Sequence, residues 1–148
     1  MVETIGTTQA IAARVSAVRA RMAAAAARAG RDPASVTLIA VTKTLDAEIV
    51  RAASQAGLRE MGENKVQEAY AKRGELLDQP ALHWHLIGHL QRNKARRAVS
   101  TFDTIHSVDS MQLATALNDA ASAQGRALPV FAQVNVSGEP TKSGFSPS

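Results

Sequence analysis

The residue best suited to chemistry is Lys43, which directly follows the apolar run of residues 36–42. That run has no polar alternation, which is typical of a strand buried on both faces. A lysine at the end of such a strand must reach water or hold a partner, because burying an unpaired ammonium is costly. When its amine is neutral, the side chain can attack a carbonyl carbon. The alternative is a strand-end lysine that only reaches solvent.

Other polar residues also follow predicted strands. They comprise Gly62, Glu63 and Asn64, then Gly88 and His89, Ser107 and Asp109, and Asn135 and Ser137. In parallel α/β sheets the carboxyl ends of the strands form one edge, where active sites assemble. Because loops are usually polar, this pattern by itself is weak evidence for an active site, and Lys43 makes it stronger.

Asn64 and two histidines each have two interpretations. Asn64 either caps the helix that follows it or directs a hydrogen bond at a ligand. His83 and His85 share a strand face and are candidates for a pocket or a metal site. No third ligand has suitable spacing, so a hydrogen-bonded core histidine is preferred to a metal site.

The elements alternate along the chain. Helices are predicted over residues 7–29, 46–56, 64–77, 91–100 and 109–124, and strands over 36–42, 58–61, 83–87, 102–106 and 130–136. Repeated strand–helix units predict a parallel sheet with right-handed crossovers. The absence of a linker, composition break or repeat predicts that residues 1–148 are one domain, or part of one.

Composition limits the class of protein. The chain has 148 residues, 45% hydrophobic residues, a net charge of +4 and no cysteine. Disulfides and thiolate metal sites are therefore excluded. No stretch approaches the ~20 apolar residues of a membrane span, and no signal peptide is recognisable, so a cytoplasmic protein is expected. The basic residues of 91–100 do not form one stripe, and nucleic-acid binding is not expected.

Five blocks of sequence, in order and at predicted strand ends, carry a family resemblance. They are Ala40 to Thr44, Gly62 to Glu68, Trp84 to Lys94, His106 to Ser110, and Gln133 to Phe145. Together they closely resemble the pyridoxal phosphate homeostasis proteins, which share the barrel of the alanine racemase N-terminal domain. The resemblance runs from the first helix to Phe145.

The resemblance implies a parallel (β/α) barrel, with an extra N-terminal helix, that holds pyridoxal phosphate as a Schiff base on Lys43. Asn64 and His85 match family positions that line the cofactor pocket. The family is thought to store or deliver the cofactor, balancing vitamin B6 and amino-acid pools without established turnover. Enzymes that receive the cofactor are then its expected partners.

A complete barrel has eight strands, whereas about five are predicted here. The segments of the family that grip the phosphate and face the pyridine nitrogen have no counterpart in this sequence. An incomplete barrel is therefore expected, with open sheet edges through which the chain self-associates or is left marginally stable. Two alternatives stay open: a lysine-dependent enzyme such as a racemase, for which Tyr70 is a poor second acid–base, and an inactive remnant.

Overall fold

A computed structural model describes the backbone of residues 2–147 and the side chains of residues 6–147. The first and last residues of the predicted domain, Met1 and Ser148, lie outside this range. The helices are α1 (Val2–Arg28), α2 (Ala47–Gln55), α3 (Val66–Glu75), α4 (Ala95–Thr101) and α5 (Met111–Ala123). The strands are β1 (Ala40–Val41), β2 (Glu60–Glu63), β3 (His83–Leu86), β4 (Thr104–Val108) and β5 (Val130–Ala132).

The five strands form one parallel sheet in the order in which they occur in the chain. Successive helices pack against one another, α1 on α2 through to α4 on α5, and cover one face of the sheet. This arrangement confirms the predicted parallel α/β fold with an additional N-terminal helix. No helix within residues 2–147 is both long enough and apolar enough to cross a membrane.

The two faces of the sheet differ in chemistry. The helix-covered face carries Met61, Trp84, Leu86 and Ile105, each at most 2% exposed. The opposite face is open, and its residues include Val41 and Phe131, which are 52% and 58% exposed. The prediction that residues 36–42 form a strand buried on both faces is therefore wrong. Within residues 36–42, only Ala40–Val41 forms a strand, and it pairs with β2, the one strand beside it in the described chain.

Local signals set the helix ends. The Asp46 side chain accepts a hydrogen bond from the amide of Ile49, so it caps α2 at the residue where the predicted helix 46–56 begins. Gly57 and Gly125 follow helices in the left-handed conformation that glycine favours. Helix α5 is capped by Ser110, whose hydroxyl accepts from the amide of Leu113.

Four predicted boundaries were wrong. Strands β2 and β4 each extend two residues further than the predicted ends at 61 and 106. The predicted strand 130–136 ends at Ala132, after which Val134 forms only an isolated bridge with Phe145. The predicted helix 91–100 begins as a 3-10 turn, Arg92–Lys94, and becomes α-helical only from Ala95.

Candidate functional site

Lys43 lies in a tight turn at the carboxyl end of β1. The turn spans Thr42 to Leu45 and is closed by a 3.1 Å hydrogen bond from the Leu45 amide to the Thr42 carbonyl. Thr44 has a φ of 65° and is the one non-glycine residue with positive φ among residues 2–147. A β-branched residue rarely adopts this conformation, which costs of order 1–3 kcal/mol and persists only where its surroundings enforce it.

The residue before Lys43 is held by a buried ion pair. Glu63, at the end of β2, is fully buried, and its Oε1 atom lies 2.6 Å from Lys72 Nζ of α3. The Thr42 hydroxyl donates to the same Oε1 atom at 2.7 Å, and Lys72 Nζ donates to the Thr42 carbonyl at 2.9 Å. Thr42, Glu63 and Lys72 thus form one closed cluster, called here the Thr42 cluster.

Lys43 and Lys72 have opposite environments. The Lys72 side chain is 8% exposed and hydrogen-bonded to both other members of the Thr42 cluster. Lys43 is exposed, and within the described part of the chain its amine takes part in no hydrogen bond or ion pair. An amine that is unpaired, exposed and attached to a fixed turn is available to react with a carbonyl group.

Asn64 follows β2 at the same edge of the sheet. It does not cap α3, because the residue at the cap position is Lys65 and its side chain makes no capping bond. Asn64 is half-buried and lies directly against Gly88, where a Cβ atom would come within 2.4 Å of the Asn64 carbonyl oxygen. Gly88 therefore allows the loop after β3 to pack on the backbone of Asn64.

His85 lies deeper in the sheet. Val41 pairs with Gly62 and Gly62 with His85, so His85 stands two residues below the level of Lys43 and Asn64. At about 3.3 Å per strand residue this separation is roughly 7 Å. Lys43 and Asn64 thus share the edge, and His85 contributes from the open face beneath it.

A hydrogen-bonded chain fixes the His85 ring. Its Nε2 atom lies 2.7 Å from Glu60 Oε2, and its Nδ1 atom lies 2.9 Å from Nε2 of His106. The His106 ring stacks on Phe131 with centroids 4.8 Å apart. Burial, and secondly the neighbouring His85, lower the pKa of His106 below its ordinary value of 6.5.

His83 shares the face of His85, as predicted, but it is not a core residue. Its side chain is 63% exposed, and Nδ1 lies 3.2 Å from Glu60 Oε1. Among the described residues no three His, Cys, Asp or Glu side chains are arranged to hold a metal ion.

Further contacts join the loops along the edge. The Ser107 hydroxyl donates to the Gly88 carbonyl at 2.7 Å, and His89 Nδ1 lies 3.2 Å from Asp109 Oδ2. His89 also lines a cleft with the loop after β5, in which the Asn135 side chain donates to the carbonyls of Glu139 and Lys142. Contacts therefore join the loops after β2, β3 and β4, and the loop after β5 shares a cleft with His89.

The contacts of Glu63 with Lys72, and of Glu60 and His106 with His85, were not predicted from the sequence. One signal for Lys72 was present: Val66, Ala69, Lys72 and Leu76 are spaced to lie on one face of α3, and all are buried. A lysine among apolar residues on a buried face requires a partner.

The chain is similar to known proteins of one family. Residues 13–148 match the family model "Alanine racemase, N-terminal domain". The pyridoxal phosphate homeostasis protein of Pseudomonas aeruginosa is 50% identical over 137 residues, which cover 93% of this chain and 59% of that protein. PipY of Synechococcus elongatus, solved without PLP, is 47% identical with a TM-score of 0.81, covering 93% of this chain and 59% of that one. The same protein has been solved with PLP bound, at a TM-score of 0.77 to this chain.

The chain belongs to the alanine racemase N-terminal domain family and, within it, to the pyridoxal phosphate homeostasis proteins. It spans a little under three fifths of the length of the Pseudomonas relative, at 59%. Its five parallel strands are correspondingly an incomplete set beside those relatives.

Replacement of Gly88 by alanine is expected to destabilise the chain by about 1–3 kcal/mol, because the new methyl group meets backbone atoms that cannot move aside. Gly74→Ala is the matched control: it lies in α3 with nothing within 4 Å of the added Cβ and should be neutral or stabilising. Urea denaturation measures both. Equal midpoints for the two variants would contradict the close packing of Gly88 on Asn64.

The lowered pKa of His106 predicts that stability falls with acidification. Because the unfolded chain takes up a proton at this position more readily than the folded one, the free energy of unfolding decreases as pH falls through 6.5. His106→Gln should reduce the loss of urea midpoint between about pH 7.5 and about pH 5.5. A titration midpoint of the His106 ring at or above 6.5 by NMR would contradict this.

Proposed function

We propose that this chain binds pyridoxal phosphate through Lys43 and takes part in the homeostasis of that cofactor and of amino acids. The observation that carries the proposal is the unpaired, exposed amine of Lys43 on a fixed turn at the carboxyl edge of the sheet. The homeostasis proteins that it resembles, including one solved with PLP bound, support the choice of cofactor.

The chemistry requires a neutral primary amine. The nitrogen lone pair of Lys43 attacks the aldehyde carbon of the cofactor, a carbon–nitrogen double bond forms, and the carbonyl oxygen leaves as water. A lysine with a hydrogen-bonded partner would first have to break that bond, as Lys72 would. Lys43 and Lys94 have no such partner within the described chain, and of the two only Lys43 directly follows a strand at the carboxyl edge of the sheet, so it is the lysine of choice.

Asn64 and His85 are proposed to line the bound cofactor. The Asn64 amide offers both a donor and an acceptor at the level of Lys43. The His85 ring lies below that level, and both of its nitrogens are already engaged with Glu60 and His106. Its proposed role is therefore to present a fixed ring surface at the floor of the site.

We infer a role in holding and delivering the cofactor rather than turnover. A racemase-type enzyme needs a second acid–base group opposite the lysine. Tyr70 is 55% exposed on α3, and the guanidinium of Arg97 lies 5.0 Å from the centre of its ring, so it faces away from the sheet edge. Enzymes that lack their cofactor are the proposed recipients, and a cytoplasmic location stays a prediction.

Incubation with pyridoxal phosphate is expected to produce the visible imine absorption band, and borohydride should then fix the cofactor on Lys43. Peptide mapping by mass spectrometry identifies the modified lysine. Lys43→Arg keeps the charge and should abolish both the band and the modification. Lys65→Arg, at a lysine whose side chain is 68% exposed, is the matched control and should behave as wild type.

Modification spread over Lys65, Lys94 and Lys142, with no preference for Lys43, would overturn the proposed site. Racemisation of alanine by the loaded protein would instead favour an enzyme. Failure of the wild-type chain to form any imine would favour the inactive remnant.

Self-association through the open sheet is a further proposal. Val136 is 82% exposed near the end of the sheet, and β1 and β5 each have one neighbouring strand in the described chain. We expect the elution volume in size-exclusion chromatography to depend on protein concentration. Val136→Lys should reduce this dependence, whereas Leu77→Lys, at a position 79% exposed beside the helices, should not. A sharp monomer peak at every concentration, with a cooperative melt at high temperature, would contradict the proposal.

A further inference from the structure

A buried ion pair in this small chain requires a physical reason. Removing Glu63 and Lys72 from water costs several kcal/mol per ion, and a well-packed apolar pair of the same volume often gives equal or greater stability. The side chains of Glu63 and Lys72 are 0% and 8% exposed, respectively, so this cost applies to both. Stability alone therefore does not explain why α3 directs a lysine into the sheet.

The contacts of the pair point to the turn that carries Lys43. We propose that Glu63 and Lys72 are positioning residues for Lys43, acting through Thr42. The cofactor-binding role of Lys43 rests on the proposed function. The restraint that the ion pair places on the turn does not depend on that function. Neither residue touches the cofactor in this proposal, since both lie on the helix-covered side of the sheet.

Thr42 is fixed through every polar group that it has. Its amide donates to the Gly62 carbonyl at 2.9 Å, and its hydroxyl donates to Glu63 Oε1 at 2.7 Å. Its carbonyl accepts from both Lys72 Nζ at 2.9 Å and the Leu45 amide at 3.1 Å. The ion pair and the turn thus share one carbonyl oxygen, so movement of the pair moves the first residue of the turn.

The backbone of the turn needs this support. Thr44 adopts a positive φ of 65°, which is unfavourable for a β-branched residue. With Thr42 fixed at one end and Asp46 fixed as the cap of α2 at the other, the intervening residues have little freedom to relax. Lys43 is the residue whose side chain direction this restraint determines.

The test compares two threonines with the same chemistry. Thr42→Val removes the hydroxyl that joins the turn to Glu63 but leaves the Glu63–Lys72 contact. Thr101→Val is the matched control, because Thr101 is also fully buried and its hydroxyl also donates at 2.7 Å, to the Arg97 carbonyl in α4. Both variants lose one buried hydrogen bond of similar geometry, so a general loss of stability should affect the two variants equally.

Two readouts are measured on the full chain. Hydrogen exchange reports the Leu45 amide, which closes the turn, without any cofactor. Borohydride trapping with pyridoxal phosphate reports the fraction of Lys43 modified. Thr42→Val should raise the Leu45 exchange rate and lower the trapped fraction at limiting cofactor, each about fivefold, as expected for one hydrogen bond. Thr42→Ser keeps the hydroxyl and should restore both values, and Thr101→Val should change neither.

The double variant Glu63→Gln with Lys72→Met removes both charges without leaving one buried and unpaired. It should fold and yet show the faster Leu45 exchange and the lower trapping. Equal exchange and trapping in Thr42→Val and Thr101→Val would overturn the inference. If wild type traps no cofactor, the proposed function fails, and the Leu45 exchange rates alone still decide whether the pair holds the turn.

Discussion

The contact of the Glu63–Lys72 ion pair with Thr42 is the interaction on which the site depends. It joins β1, β2 and α3 at one point, directly before the residue that we propose to bind the cofactor. Two lysines of the same chain are thereby separated in role. Lys72 is buried and hydrogen-bonded to Glu63 and to the Thr42 carbonyl, whereas Lys43 is exposed with an amine that has no partner among the described residues. A reactive amine needs such an arrangement, in which the backbone is fixed and the side-chain nitrogen is available.

The same principle extends along the carboxyl edge of the sheet. Gly88 lets the loop after β3 pack on Asn64, and the Ser107 hydroxyl donates a hydrogen bond to the Gly88 carbonyl. On the open face, Glu60 and His106 hold the ring of His85 from both sides. Each proposed site residue is therefore supported by a neighbour on the adjacent strand or loop. The PipY structure with PLP bound supports the proposed cofactor, and these contacts hold the residues that we propose to line it.

The helix ends could be predicted from the sequence, because the residues that set them lie at the ends themselves. Asp46, Gly57 and Gly125 mark helix ends through capping and left-handed backbone geometry, and they do so in the structure. Strand limits were less predictable, since they depend on neighbouring strands: β2 continues through Glu63 because that residue pairs with Leu86 of β3. The predicted burial of residues 36–42 was wrong for a related reason, as Val41 has no second neighbouring layer in the described chain. The Thr42 cluster joins residues from three separate elements, so no pattern within a single element could predict it.

The most direct measurement of the central claim is an NMR spectrum of the side-chain ammonium groups in protein labelled with ¹⁵N at lysine. A buried ammonium held by Glu63 and the Thr42 carbonyl exchanges its protons slowly with water, whereas exposed ammonium groups exchange too fast to be observed. We expect one resolved resonance, assigned to Lys72, with couplings or contacts to Thr42, and none for Lys43. Absence of a slowly exchanging Lys72 signal, or a protected Lys43 in its place, would contradict the claim that the ion pair fixes the turn and leaves Lys43 available.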